Sequence, residues 1–212
     1  MIRDVYFGDL SALADFGLYR KSAEVGSPAP KTESVDVPGA DGVLDLTEYF
    51  GGVNYANRAL AFEFQVRDQT GFHEAYRKVK QALHGLTMRV RLSEEPEIYY
   101  VGRVTVSAWK TNERIGEIGI DVDAEPFWYE SEPTVVELDV DGELTHEFAN
   151  ASMRVMPVFD LGEAMNIKQG SASWSAAKGE WSNSALRLPR GGGPLTFAGT
   201  GHVKVTYTQR GL

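Results

Sequence analysis

The sequence predicts a mainly β chain of two domains: an N-terminal β domain with one flanking α-helix, then a smaller C-terminal β-sandwich. Three observations predict it. Most segments alternate apolar and polar residues with period two, the mark of half-buried strands. One stretch alone carries apolar residues convincingly at helical spacing. Twenty-two glycines and nine prolines are spread along the 212 residues, as a fold with many turns requires.

Each element follows from its own pattern. In "ALAFEFQVR", Leu60, Phe62, Phe64 and Val66 face one way, while Glu63, Gln65 and Arg67 face the other. "MRVRL" turns Met88, Val90 and Leu92 inward and Arg89 and Arg91 outward, and "EIGIDVDAE" does the same with Ile118, Ile120 and Val122. Between them, "GFHEAYRKVKQALHG" places Phe72, Ala75, Tyr76, Val79 and Leu83 on one stripe, which predicts a helix over about 71–84. Thr70 is placed to cap its start and Gly85 its end. A single amphipathic helix among strands lies across one face of a sheet or barrel.

Aromatic, acidic and proline residues in "AEPFWYESEP" mark a boundary, giving domains 1–130 and 131–212. Beyond it come "TVVELDV", "THEF", "RVMPVFDL", "MNIKQG", "SASWSA", "ALRLP", "PLTFAG" and "HVKVTYT", short strands whose even spacing predicts a small antiparallel sandwich.

Composition excludes several classes of function. The chain has no cysteine, so neither a disulfide framework nor a thiolate site exists. Its formal charge of −9 and pI of about 5.0 disfavour tight binding to a phosphate backbone. "RKVK" at Arg77–Lys80 reads as the wet side of the helix. No apolar run is long enough to cross a bilayer, and "MIRDVYFGDL" lacks the layout of a signal peptide.

Motifs that could carry chemistry do not assemble into a site. "DFGL" at Asp15–Leu18 lacks the Gly-rich loop, strand lysine and catalytic-loop Asp that would make it a magnesium site. "SAAK" at Ser175–Lys178 sits in a turn-rich strand segment, with no helix to present the serine. His73, His84, His146 and His202 are scattered, and the two that share a helix are not spaced to ligate one metal. Asn150-Ala151-Ser152 is a glycosylation sequon without a secretion signal. Asp36, Asp41 and Asp45 lack the terminal glutamate of the familiar Ca²⁺ loop, and read as turn residues beside Pro38-Gly39 and Asp41-Gly42. Trp109, Trp128, Trp174 and Trp181 read as core or interface residues ahead of sugar platforms. The expectation is a protein that is not an enzyme and has no catalytic residue, metal or cofactor.

"SPAPKTESVDVPGADGVLDLTEYFGGVNYANRALAFEF" resembles the N-terminal domain of the distal tail proteins of long, non-contractile-tailed bacteriophages. The resemblance continues in order through the helix closing on "ALHG", "MRVRLSEEPEIYYVGRVTV", "WKTNERIGEIGIDVDAEPFWYESEP" and the final "GTGHVKVTYTQRGL", from about Asp15 to Leu212. It implies a β-barrel-like, split-sheet N-terminal domain with a flanking helix, followed by a galectin-like β-sandwich projecting outward. It also implies a structural virion protein at the tail tip, assembled in the host cytoplasm. In that role six copies form a ring joining the tail tube to the tip or baseplate hub, and DNA passes through the lumen. Partners would be the chain itself, the tail tube protein, the tip or hub protein and the tape-measure protein, with no membrane insertion. Two features depart from the family. Ala40 stands where relatives often carry arginine, and the C-terminal part lacks the insertions that supply carbohydrate-binding modules.

A cyclic ring needs one patch to meet a different patch on its neighbour. The candidate contacts are the turns at Pro38, Gly39, Asp41 and Gly42, with Asp45 beside them. A second candidate is the "AWKTNERIG" hairpin with Trp109, Asn112, Glu113 and Ile115. Arg58 is expected to pair with Asp41 or Asp45 and hold the loop closed. The alternative reading is a monomeric glycan-binding sandwich contributing to host attachment, which requires Trp174 or Trp181 exposed on a concave face. A carboxylate-dependent hydrolase would require a cleft lined by a carboxyl pair.

Overall fold

The computed structural model describes residues 3–49, 51–66, 71–111, 116–151 and 153–212. The chain divides into two compact units, residues 1–128 with Leu212, and residues 129–211.

The first unit opens with β1 (Val5–Phe7), β2 (Leu10–Ser11), α1 (Ala12–Phe16) and β3 (Leu18–Val25). Then come β4 (Pro30–Lys31), β5 (Ser34–Asp36), β6 (Val43–Asp45), β7 (Asn54–Tyr55) and β8 (Arg58–Val66). α2 (Phe72–Leu83), β9 (Thr87–Leu92), β10 (Ile98–Thr111) and β11 (Gly116–Glu130) follow. The main sheet runs β2-β1-β9-β10-β11-β8-β3.

Period-two alternation builds this sheet as expected. Leu60, Phe62, Phe64 and Val66 are buried on β8, and Ile118, Ile120 and Val122 on β11, with Glu63 and Asp121 exposed between them. The sheet curls around its apolar face. β1 and β8 are four strands apart along the path, about 19 Å if the sheet were flat at the usual ~4.8 Å spacing. Yet the rings of Phe7 and Phe62 meet edge-on at 6.0 Å. α2 fills the concave side with Phe72, Val79 and Leu83, each buried. Burial of that kind stabilises by about 1.5–3 kcal/mol per side chain. A Cβ on Gly116 would lie 2.1 Å from the Phe72 ring, so this strand position must be glycine for the helix to dock.

Two expectations about helices are corrected. α1 was not expected, because its five residues are too few to show a period. Ser11 caps it by accepting from the Ala14 N–H at 2.7 Å, and Gly17 ends it in the left-handed region at φ 66°. The Asp-Phe-Gly run is thus a helix end, with Asp15 accepting from the Ser11 N–H at 2.7 Å. For α2, Gly71 occupies the N-cap with no side-chain bond, while Thr70 lies outside the described residues. His84 takes the C-cap, and Gly85 follows at φ 83°.

The second unit comprises β12 (Thr134–Phe148), β13 (Val158–Leu161), β14 (Met165–Gln169), β15 (Ala172–Ala176), β16 (Gly179–Trp181), β17 (Gly193–Tyr207) and β18 (Arg210–Gly211). Six of these strands form one sheet, in the order β15-β14-β17-β13-β16 with β12 on the other edge of β17. Where the sequence suggested four short strands there are two long ones. "TVVELDV" and "THEF" are one strand, β12, and "PLTFAG" and "HVKVTYT" are one strand, β17, paired along their whole length from Thr134↔Tyr207 to Phe148↔Gly193. "ALRLP" contributes only an isolated bridge, Leu188 to Val155.

Glycines misled the reading because they bend these strands without ending them. Gly142 (φ 87°) pairs with Gly199 (φ 155°), and Gly201 (φ 147°) pairs with Val140. On the other edge of β17, β13 pairs with residues 203–206 and β14 with 196–198, on either side of the bend. Phe159 from one half meets Phe197 from the other at 6.1 Å, and Phe148 meets Tyr207 at 6.4 Å. One folded sheet thus closes on its own core as a sandwich. Among the described residues, no helix is long and apolar enough to cross a membrane.

Candidate assembly surfaces

The antiparallel pairing of β3 with β8 continues beyond the main sheet. The Gly26 N–H donates to the Ala59 carbonyl, the Ala56 N–H to Ala29, and the Leu46 N–H to Glu33. β4 pairs with β7, then β5 with β6. The described residues of 27–57 therefore form an arm, a ribbon with no core of its own. Most of them are exposed and none is buried, the exposed ones including Val35, Val37, Val43 and Leu44, with Val43 at 64%. Exposed apolar residues clustered on a projecting ribbon mark a surface awaiting cover.

Pro38, Gly39, Asp41 and Gly42 lie together in the loop joining β5 to β6. The Ala40 N–H donates to the Val37 carbonyl at 3.1 Å, and Gly39 sits at φ 84°. Proline then glycine at the centre of such a turn fits type II. Asp45 accepts from the Thr47 N–H at 2.8 Å, and the Glu33 N–H donates to the Thr47 hydroxyl at 3.1 Å. Hydrogen bonds from the Thr47 hydroxyl and backbone hold the Asp45 carboxyl below its usual range. Asp45 thus fixes a turn within the arm.

Arg58 does not reach the arm. Period two puts it on the inward side of β8 with Leu60 and Phe62, and it is 5% exposed. Its Nε and one terminal nitrogen donate to the Pro126 carbonyl at 3.0 and 2.6 Å, and its guanidinium lies 5.3 Å from the Tyr100 ring centroid. The expected pairing with Asp41 or Asp45 is replaced by a buried strand-to-strand clasp.

Trp109, 40% exposed, stands edge-on to His73 at 4.9 Å and to Phe72 at 5.7 Å. Asn112, Glu113 and Ile115 lie outside the described residues. Trp174 and Trp181 are half-buried against the second core, Trp181 being 5.6 Å from Phe159. Asn150 of the sequon is 1% exposed, and its amide nitrogen lies within 3.1 Å of the Met153, Leu188 and Pro189 carbonyls. It ties two loops together. Lys178 pairs with Glu163 at 3.0 Å, and Ser175 sits on a strand. Among the described residues, no group of three or more His, Asp or Glu could hold a metal ion.

Sequence reasoning missed the partners of Arg20 and of two outward arginines. Arg20, from β3, donates to Glu94 just after β9, with its side chain 4% exposed. Arg91 lies 4.9 Å from the ring centroid of Tyr6, and Arg89 4.7 Å from that of Tyr99. The alternation of "MRVRL" showed which way Arg89 and Arg91 point, but the rings come from other strands.

Together these features define a class of architecture: a curled sheet with a helix in its hollow and an exposed ribbon arm, followed by a bent-sheet sandwich. That architecture matches a solved structure over the whole length of both chains, the crystal structure of the SPP1 Dit (gp 19.1) protein. It is described as a paradigm of the hub adsorption apparatus in phages that infect Gram-positive bacteria. The TM-score is 0.73 at 12% sequence identity, and 100% of each chain is covered. The fold is therefore that of a distal tail protein, as the sequence resemblance implied. No protein-family model matches the chain, and no curated protein does.

Proposed function

We propose that the chain is a distal tail adaptor of a siphophage virion. Six copies form a ring that joins the tail tube to the tip or baseplate hub and lets DNA pass through its lumen. The observation that carries this reading is the likeness to a hub protein along the full length of both chains. The exposed apolar arm supports it, because Val35, Val43 and Leu44 gain by leaving water against a neighbour. The Pro38–Gly42 turns at the arm tip and the Trp109 hairpin are the contacts assigned to the ring. A net charge of −9 suits a passage that must not hold a polyanion. The second unit is read as a galectin-like sandwich facing outward. The tail tube protein, the tip or hub protein and the tape-measure protein are its neighbours. No feature favours the glycan-module reading, since Trp174 and Trp181 pack against the core.

The test is location. An antibody raised against this chain should label the distal end of the tail, and no other part, on virions that carry it. Label along the tube or on the capsid would contradict the proposal.

A further inference from the structure

The outer face of α2 carries a row of basic residues. His73, Arg77, Lys80 and His84 recur at i, i+4, i+7 and i+11, one exposed stripe beside the buried Phe72, Val79 and Leu83. No acid interrupts it, since Glu74 lies on the other flank with Lys78 and Gln81. Neither Arg77 nor Lys80 has a carboxylate partner among the described residues. Like charges at these spacings weaken a helix. A merely solvated face, in a chain with 30 acidic and 21 basic residues, would mix the signs. Apolar surface brackets the stripe. Trp109 stands against His73 at one end, and Leu86, half exposed, follows His84 at the other.

A second copy of the chain carries the complement. From Thr32 to Asn57 the arm holds Glu33, Asp36, Asp41, Asp45 and Glu48, all exposed, and no basic residue. Val35, Val37, Val43 and Leu44 stand exposed among these acids. The lengths agree as well. His73 to His84 spans about 17 Å of helix, and Glu33 to Pro38 about 17 Å of strand.

The arm and the start of α2 belong to opposite ends of β8. The arm enters that strand at Arg58. Phe72 docks on Gly116, which pairs with Val66, the last residue of the strand. Eight strand steps, about 26 Å, separate the two ends. The exposure of Val43 and of the stripe shows that the arm does not cover its own helix. Head-to-tail assembly needs two unlike, complementary patches set apart on each subunit. We infer that the arm of one copy lies along the basic stripe of α2 on the next. Its acids pair with Arg77 and Lys80, and its apolar residues cover Trp109 and Leu86. This rests on the ring reading above and names the surface that receives the arm.

Two charge reversals test it: Arg77→Glu with Lys80→Glu on the stripe, and Asp36→Lys with Asp41→Lys on the arm. Circular dichroism and melting first establish that both variants fold. By native mass spectrometry the wild-type chain should form rings. Each variant alone should form at least tenfold fewer, because like charges then meet. An equimolar mixture should restore rings of alternating subunits, since each arm then finds a stripe of opposite sign. Variants that form rings as the wild type does, or a mixture that restores nothing, overturn this contact and leave the ring reading intact. A wild-type chain that forms no ring at any concentration contradicts the ring reading and this contact with it.

Discussion

Arg20 on β3 forms an ion pair with Glu94, beyond β9, across the open side of the curled sheet. Four strand steps separate β3 from β9 along the sheet, so the pair exists only because the sheet curls. It joins one edge strand to the segment leading away from β9.

Breaking that pair should loosen the curl. Burial opposes ionisation of Glu94 most, yet the hydrogen bonds and charge of Arg20 and backbone bonding outweigh it, and its carboxyl is held below the ordinary 4.5. A group with a lowered folded value contributes stability above its unfolded pKa and loses it as pH falls through the folded one. Urea unfolding should therefore show Glu94→Ala about 1–2 kcal/mol less stable at pH 7, discounted for the half-exposed glutamate. The difference should shrink as pH falls below about 4.5. A gap that stays constant with pH would remove the ion pair from the account.

The bend of the second sheet depends on glycine. A Cβ on Gly199 would lie 2.7 Å from the Met165 Cβ, and the backbone there is at φ 155°. Gly199→Ala should cost about 2–4 kcal/mol, from strain and overpacking together. Tryptophan fluorescence from Trp174 and Trp181 should report the loss in the second unit. An unchanged midpoint would mean that the bend does not need glycine.

Asn150 should matter for folding and for nothing chemical. Its amide nitrogen serves carbonyls on two loops from a site shut to solvent. Asn150→Ala should cost about 2–3 kcal/mol through unsatisfied carbonyls and a small cavity. A neutral outcome in a denaturant titration would show that the two loops hold without it.

The arm tip should act in the opposite way. Val43 and Leu44 are 64% and 54% exposed. Val43→Asp with Leu44→Asp should leave the melting temperature of the isolated chain within about a degree or two, as surface changes do. The same pair should abolish assembly. Assembly that survives would place the arm outside the subunit contact.

Much of this fold is written in period two. β8, β9 and β11 could be read strand by strand, because each buries one face and wets the other. α2 could be read from its stripe, and the main turns from Pro38-Gly39 and Asp41-Gly42. What stayed hidden depends on distance or on context. α1 is shorter than two helical turns. Gly142, Gly199 and Gly201 read as chain breaks because local sequence cannot distinguish a bent, fully paired strand from two strands and a turn. Arg58 read as a loop clasp, although its parity with Leu60 already pointed it inward, and its partner Pro126 is distant in sequence.

The most direct test of the central claim is the mass of the purified chain in solution, with negatively stained images of the same sample. The account predicts a particle of about six times 23.4 kDa, seen as a ring with a central hole. A chain that remains at 23.4 kDa at every concentration and salt would contradict it.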